Sequence, residues 1–219
     1  MDEETAKEVA RQVRKPQGDF GIQVGNGMNQ GNSYMNQYVI EILKEGTKGD
    51  VLEIGMGNGF FVKDVLAIDD SIKYKGLDYS GIMVEEAIKM NAAFVQSGRA
   101  RFSLGDADTI PYKKDFFDTI FTVNTIYFWE NPVKELAEIR RVLKPSGLFI
   151  IAIRPKAFMK KYAFTRYNFT MFSEEELIDL LTKNQFTVTN SIVRQEPEVE
   201  FVGETMKPEA VIISAKITV

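Results

Sequence analysis

Hydrophobic positions are spaced in two different ways along this chain, and the spacing changes near residue 50. Between Tyr34 and Leu43 they recur at helical intervals. Tyr34, Tyr38 and Ile42 lie beside Met35, Val39 and Leu43, which predicts a helix that begins near Asn32 or Ser33 and stops around Gly46. The segment before it is largely polar, and its second half carries Gly18, Gly21, Gly25, Gly27 and Gly31 among Phe20, Ile22, Val24 and Met28, so irregular backbone is expected there. Residues 1–32 are open to two readings, a frayed tail or a segment that folds over a ligand pocket.

From Val51 onward, short apolar runs alternate with helical patterns. Val51 to Ile54 reads as a strand, followed by the turn Gly55-Met56-Gly57-Asn58-Gly59 and a helix carrying Phe61, Val65 and Ile68 on one face. Tyr74 to Leu77 is a second strand ending at Asp78, and Ser80 opens a helix with Ile82, Met83, Ala87 and Met90. Phe102 to Leu104 is a third, ending at Gly105-Asp106. Asp118 to Val123 is a fourth, almost unbroken in apolar or β-favouring residues, as expected of a strand covered on both faces. Asn131-Pro132 is an N-cap and first-turn pair for a helix whose buried face is marked by Val133, Leu136, Ile139 and Val142. The turn Lys144-Pro145-Ser146-Gly147 then leads to a fifth strand, Leu148 to Ile153.

Residues 154–171 break the cycle, with Lys156, Lys160, Lys161 and Arg166 among Phe158, Tyr162, Phe164, Tyr167 and Phe169. Ser173 with Glu176 is a capping box for the helix of Leu177, Ile178, Leu180 and Leu181. Phe186 to Val193 and Ala210 to Ile217 are the last strand candidates. Alternating strands and helices over residues 50–153 predict a doubly wound, mostly parallel α/β sheet with helices on both faces and right-handed crossovers. The division expected is an N-terminal lid and helix over residues 1–45 and a second unit over 46–219, with 154–172 as an insertion on the substrate side.

Composition changes this picture mainly through two zeros. Among 219 residues there is no Cys and no His, which excludes disulfides, Cys/His zinc sites, thiol nucleophiles and any Ser-His or Cys-His relay. No metal site is expected. A net charge of -4 gives no general attraction to nucleic acid or anionic membrane. Apolar runs fall short of a membrane span and the polar start lacks the apolar core of a signal peptide, so a cytoplasmic protein is expected.

The candidate chemistry lies at the ends of the first strands. Glycines are needed where the backbone bends tightly and where a bulky ligand touches it, and Gly55, Gly57 and Gly59 suit that role. Asp78, about twenty residues on at the end of the second strand, is placed to accept both hydroxyls of a ribose. Phe60 stands where a dinucleotide fingerprint wants glycine, and Glu53 is a poor neighbour for pyrophosphate. A nucleoside with a cationic or neutral head suits these acids better than a nicotinamide dinucleotide.

In order, Val51-Leu52-Glu53-Ile54-Gly55-Met56-Gly57-Asn58-Gly59, Leu77-Asp78-Tyr79-Ser80 with Met83 and Ala87, Gly105-Asp106-Ala107, Ile110-Pro111-Tyr112, Phe116-Phe117-Asp118 and Arg141-Val142-Leu143-Lys144-Pro145-Ser146-Gly147 resemble the motifs of class I S-adenosylmethionine-dependent methyltransferases. The likeness is to the small-molecule type, such as the ubiquinone and menaquinone biosynthesis enzymes and related bacterial proteins, and covers about residues 50–153. It implies a Rossmann-like sheet of seven strands whose last strand is antiparallel. It further implies that Gly55, Met56, Gly57 and Gly59 pass beneath the methionine part and ribose, that Glu53 orients the amino end, and that Asp78 binds the ribose. Tyr79 and Met83 would pack on the nucleoside, Asp106 and Ala107 would read the adenine, and Asn124 would lie near the transferring methyl.

The acceptor is expected beyond the carboxyl ends of the strands. Tyr127 and Trp129 after strand four, Arg154 after strand five, Arg166-Tyr167, and Phe20, Met28 and Asn32 in the lid are the candidates, with Asn124 and Tyr127 proposed as catalytic. Aromatic walls with one or two cations would suit a small acceptor with a planar or anionic part. The expected partner is therefore a small-molecule methyl acceptor, with S-adenosylhomocysteine as the second product, in a monomer or homodimer. Rival readings are a nucleic-acid or protein methyltransferase and a non-catalytic S-adenosylmethionine-binding module. Thr125 and Ile126 replace the two prolines that base-amino methyltransferases carry at that place, which weakens the nucleic-acid reading.

Overall fold

A computed structural model describes residues 1–201 and 204–218. In chain order the elements are α1 (Glu3–Arg14), α2 (Gly18–Gly31), α3 (Ser33–Leu43), β1 (Asp50–Ile54), α4 (Val62–Leu66), β2 (Lys73–Asp78), α5 (Gly81–Met90), α6 (Ala92–Gln96), β3 (Ala100–Leu104), β4 (Phe117–Val123), α7 (Pro132–Val142), β5 (Leu143–Ile153), α8 (Lys156–Met159), α9 (Glu174–Lys183), β6 (Phe186–Gln195), β7 (Val199–Phe201), β8 (Glu204–Met206) and β9 (Glu209–Ile217). Short 3-10 turns occupy Ile126–Phe128 and Ala163–Arg166.

Among the described residues, seven strands form one sheet in the order β3-β2-β1-β4-β5-β9-β6. β1 to β5 run parallel, while β9 is antiparallel to both β5 and β6. Alternate residues of the central strands feed two separate cores. Leu52, Ile54, Ile120, Phe149 and Ile151 face one of them, and Val51, Phe121, Ile150 and Ala152 face the other. Burial on both faces explains why these strands read as nearly continuous apolar runs.

The local signals act as expected where a few adjacent residues decide the outcome. Asn131 accepts from the Lys134 N–H at 3.3 Å with Pro132 in the first turn of α7, and the Ser173/Glu176 capping box opens α9. Helix faces are less faithful. In α3 the buried row is Met35, Asn36, Val39, Ile40 and Leu43, while Tyr34 stays exposed, and in α7 Val133 is exposed rather than buried. Residues 144–147, expected as a turn before the fifth strand, form an irregularity inside β5, between the pairs Phe117 with Leu143 and Thr119 with Leu148.

The largest correction concerns the N-terminus, where irregular backbone was expected in the glycine-rich second half and the helix α2 stands there, preceded by α1. In α1, Asp2 caps by accepting from the Thr5 N–H at 2.8 Å, acids fill the first turn and Arg11 and Arg14 the last, which suits the helix dipole. In α2 two of the glycines, Gly21 and Gly25, serve close approach instead of bending. A Cβ on Gly25 would sit 2.9 Å from the Met83 sulfur, and one on Gly21 would sit 2.8 Å from the Pro16 carbonyl carbon. Glycine spacing alone cannot distinguish a flexible segment from a helix pressed against its neighbour.

Candidate active site

β1 and β2 end side by side, Ile54 paired with Leu77, so the Gly55 turn and Asp78 meet because parallel register brings them together. The three glycines of the turn have left-handed backbone, with φ of 73°, 56° and 69°. Their surroundings differ. A Cβ on Gly55 would lie 2.1 Å from Thr125 Cγ2, and one on Gly59 would lie 2.8 Å from Asn91 Nδ2, whereas one on Gly57 would project into open space. Gly55 and Met56 also line the cavity described below, but Gly59 does not and is instead a packing glycine. Gly57 is the one against which a ligand can rest with no side chain between.

Asp78 is buried and accepts from the Gly57 and Ser80 N–H groups, each at 2.9 Å. Burial raises its pKa to about 6, against the opposing effect of those N–H groups. Glu53, buried one strand away, accepts a 2.5 Å hydrogen bond from the Tyr74 hydroxyl. Burial first, and then the charge of Asp78, lift it to about 7 although the Tyr74 bond works the other way. Two adjacent carboxyls held close to neutral pH need positive or hydroxyl partners to become comfortable as anions.

A single cavity of about 1180 Å³ joins these residues to the aromatic ones after β4 and β5. Its wall at the carboxyl ends of β1, β2 and β3 contains Glu53, Gly55, Met56, Gly57, Asp78, Tyr79, Met83, Asp106 and Ala107. Tyr79 donates its hydroxyl to the Arg14 carbonyl, and the Ser80 hydroxyl donates to the Pro16 carbonyl at 2.7 Å, so the α1–α2 connection is tied to the end of β2. Met83 is buried under Gly25 of α2. Asp106 is exposed and Ala107 buried.

Asn124 sits at the middle of the cavity in left-handed backbone, φ 56°. Its Nδ2 donates to Asn32 Oδ1 at 2.9 Å, and its Oδ1 receives the Arg154 N–H at 3.1 Å and lies 2.9 Å from the Tyr127 hydroxyl. That hydroxyl also accepts from the Arg154 N–H at 2.6 Å and lies 3.0 Å from the Arg154 carbonyl oxygen. Burial pushes the Tyr127 pKa far above its ordinary value. The Arg154 guanidinium is buried, paired with Glu196 at 2.8 Å, and donates to the Gly31 carbonyl at 2.8 Å.

Met28, Asn32, Tyr127, Trp129 and Arg154 therefore share this cavity. Three other acceptor candidates do not line it. Phe20 is an exposed residue of α2, Arg166 is exposed, and Tyr167 lies beneath the Lys7 ammonium, 5.5 Å from its ring centre, because the 163–166 turn packs on α1. Sequence reasoning passed over Glu196 as a site residue, together with Phe158, Met159, Phe164 and Phe169, all on the cavity wall. The density of aromatic residues in 154–171 was the available signal for the last group; nothing local marks Glu196.

The cavity offers a cradle a Cβ would invade at Gly57, a buried carboxylate, Asp78, at the end of β2, and no basic side chain in the glycine turn. Those features fit S-adenosylmethionine. The sheet order, with its final strand reversed, and the site at the carboxyl ends of β1 and β2 define a Rossmann-like methyltransferase fold.

Known proteins agree with that class. A family model described as a methyltransferase domain matches residues 52–151. The chain is 31% identical over 126 residues to the uncharacterized methyltransferase YdaC of Bacillus subtilis, covering 57% of this chain and 67% of that protein. It is 29% identical over 116 residues to the ubiquinone/menaquinone biosynthesis C-methyltransferase UbiE of Geotalea daltonii, covering 52% of this chain but only 49% of that one. A putative methyltransferase of Haloferax volcanii, solved in complex with the Trm112 methyltransferase activator, superposes with a TM-score of 0.75 at 17% identity over 93% of this chain and 99% of that one. The chain belongs to the class I S-adenosylmethionine-dependent methyltransferases. Among the described residues no helix is long and apolar enough to cross a membrane.

Proposed function

We propose that this methyltransferase acts on a small organic acceptor bound in the same cavity as its cofactor. The observation that carries the reading is the single cavity of about 1180 Å³ that runs from the Gly57 and Asp78 wall to Tyr127, Phe128 and Arg154, with α1 and α2 residues such as Val13 and Met28 also on its wall. Drug-sized ligands occupy roughly 300 to 1,000 Å³. This volume suits two small ligands side by side, and a wall drawn from α1 and α2 suits a substrate that enters whole better than a polymer.

S-adenosylmethionine, when bound, supplies a methyl group on a sulfonium whose leaving thioether needs no proton. The chain's own part is then orientation and field. Asp78 accepts hydroxyl hydrogen bonds, Gly57 lets its backbone come into contact, and Glu53 faces the cavity as a carboxyl whose charge a cationic partner favours. Tyr127, expected to be catalytic, is better described as a positioning residue. Its hydroxyl is occupied by Asn124 and the Arg154 backbone, and its raised pKa keeps it protonated at neutral pH. Asn124, held from three directions, presents its amide at the boundary between the two halves.

The test is incubation with methyl-labelled S-adenosylmethionine and separate pools of small metabolites, nucleic acid and protein. Label is expected in the small-molecule fraction together with S-adenosylhomocysteine. Label carried instead into nucleic acid or protein would overturn the acceptor class while leaving methyl transfer intact.

A further inference from the structure

The half of the cavity built by residues 154–172 has a chemistry that narrows the acceptor, and the narrowing rests on the small-molecule reading above. Six rings form one chain of contacts along the wall. Phe158 meets Tyr162 with ring centres 5.3 Å apart, Tyr162 meets Phe164 at 5.4 Å, and Phe164 meets Phe169 at 5.7 Å. Phe169 in turn meets Phe128 at 4.7 Å and Tyr127 at 5.9 Å. All six line the cavity. Such a wall offers flat apolar surface and edge-to-face contacts to a ring or an unsaturated chain.

The buried cation at this end is already paired, and the other one near the rings, Lys161, is an exposed side chain 5.6 Å from the centre of Phe158. Arg154 was the expected anion-binding cation, yet its side chain is 8% exposed and it is paired with Glu196, 3% exposed, at 2.8 Å. Its guanidinium also lies 5.6 Å from the centre of the Phe158 ring, covering that face. The other cations on the cavity wall, Arg11, Arg14 and Lys15, belong to α1 and the α1–α2 connection, so an anionic acceptor seated on Arg154 would have to displace Glu196 and leave a buried carboxylate without its partner, which is strongly unfavourable. A cationic acceptor seated among these rings would have to compete with Arg154 for Glu196; of the other carboxyls on the cavity wall, Glu53, Asp78 and Asp106 stand at the ends of β1, β2 and β3, and Glu130 is paired with Arg14 at 3.0 Å.

We infer that the chamber bounded by Tyr127, Phe128, Phe158, Tyr162, Phe164 and Phe169 is the acceptor subsite and that it takes an uncharged, flat, apolar molecule. The Arg154–Glu196 pair serves as a charge filter. It ties β5 to the β6–β7 connection and, through Gly31, to the end of α2, and it excludes acceptors that carry a net charge at that position.

Calorimetry on the full chain saturated with S-adenosylhomocysteine tests this with three probes of one shape and different charge, namely 3-methylindole, indole-3-acetate and tryptamine. The neutral probe is expected to bind at least about tenfold more tightly than either charged one. Phe164→Ala should weaken 3-methylindole by about fivefold or more, with Phe164→Leu intermediate because it keeps the apolar volume, while S-adenosylhomocysteine affinity stays within about twofold. Glu196→Gln leaves the arginine charge unbalanced and should raise indole-3-acetate affinity about tenfold without changing 3-methylindole. The inference is overturned if a charged probe binds the wild-type protein more tightly than the neutral one, if none of the three binds, if both Phe164 variants match wild type, or if Glu196→Gln leaves the order of the probes unchanged. Failure of the protein to bind S-adenosylhomocysteine at all would instead count against the methyltransferase reading, so the two failures are distinct.

Discussion

The two halves of the cavity are built by different means. The half at the ends of β1 and β2, the proposed cofactor half, has a centre held by contacts that are short in sequence: Gly57 to Asp78 spans 21 residues, Tyr74 to Glu53 also 21, and Ser80 to Asp78 only 2, while its outer rim reaches 65 and 64 residues back through Tyr79 to Arg14 and Ser80 to Pro16. The proposed acceptor half combines a local aromatic run, Phe158 to Phe169, with polar contacts between distant segments, 92 residues between Asn124 and Asn32, 123 between Arg154 and Gly31, and 42 between Arg154 and Glu196. One half uses backbone N–H groups and two carboxyls, Glu53 and Asp78, at the ends of adjacent strands, so the centre of its chemistry is fixed by local geometry. The other half uses side chains gathered from α2, β4, β5 and the β6–β7 connection, so it can change its acceptor without disturbing the first. That division lets one scaffold serve many acceptors.

Removing the hub of the cofactor half should produce the largest effect. Asp78→Ala deletes the acceptor of the Gly57 and Ser80 N–H groups and the partner for ligand hydroxyls, and hydrogen bonds to a charged group contribute about 1.5 to 3 kcal/mol each. Calorimetry with S-adenosylhomocysteine should show a loss of about a hundredfold or more. An unchanged affinity would erase the contrast between the halves.

Tyr127→Phe should act on the other half. Losing its hydroxyl frees Asn124 Oδ1 and the Arg154 N–H from one partner, a cost of about 1 to 3 kcal/mol for buried groups. The expected result is kcat about tenfold or more lower, with S-adenosylhomocysteine affinity within about threefold of wild type. A variant weakened equally in both would show that the halves are not separable.

pH sharpens the comparison further. Asp78 and Glu53 have folded pKa values raised to about 6 and about 7, so in the free protein they keep protons that the unfolded chain has released. The folded state then binds more protons than the unfolded one above the ordinary carboxylate range, and stability of the free protein should fall as pH rises from about 4 to 7. Thermal melts across that range should show the decline. Saturating S-adenosylmethionine, whose positive charge favours the ionised carboxyls, should reduce it; a decline that the ligand leaves untouched would place these acids outside the cofactor site.

The smallest effect is expected where α1 meets the rim. Arg14 pairs with Glu130 at 3.0 Å, but the Glu130 side chain is 85% exposed, and such pairs contribute little in water. Glu130→Gln should leave the melting temperature within about a degree or two of wild type. A larger drop would mean that α1 is held to the rim by charge and not by the Tyr79 and Ser80 bonds to the α1–α2 connection.

Legibility in the sequence follows the same division. The strand-turn-helix units, the glycine turn and Asp78 could be read because each depends on a few neighbouring residues and on a period of 2 or 3.6. The helical state of residues 18–31 could not, since Gly21 and Gly25 are there to admit Pro16 and Met83, and no local pattern records what presses on a glycine. Arg154 was visible as a cation after β5, but its neutral state was not, because Glu196 reaches it only once β9 has folded back between β5 and β6.

What the sequence by itself determined is therefore the sheet, the turn and the acid at the end of the second strand, together with the exclusion of imidazole and thiol chemistry by the absence of His and Cys. Only the tertiary structure decided which aromatic residues line the cavity, that Tyr127 is bonded to Asn124, and that Arg154 is paired with Glu196. The physical reason is range. Backbone conformation is set by adjacent residues, whereas burial and ion pairing are properties of whatever distant segment the fold happens to place alongside.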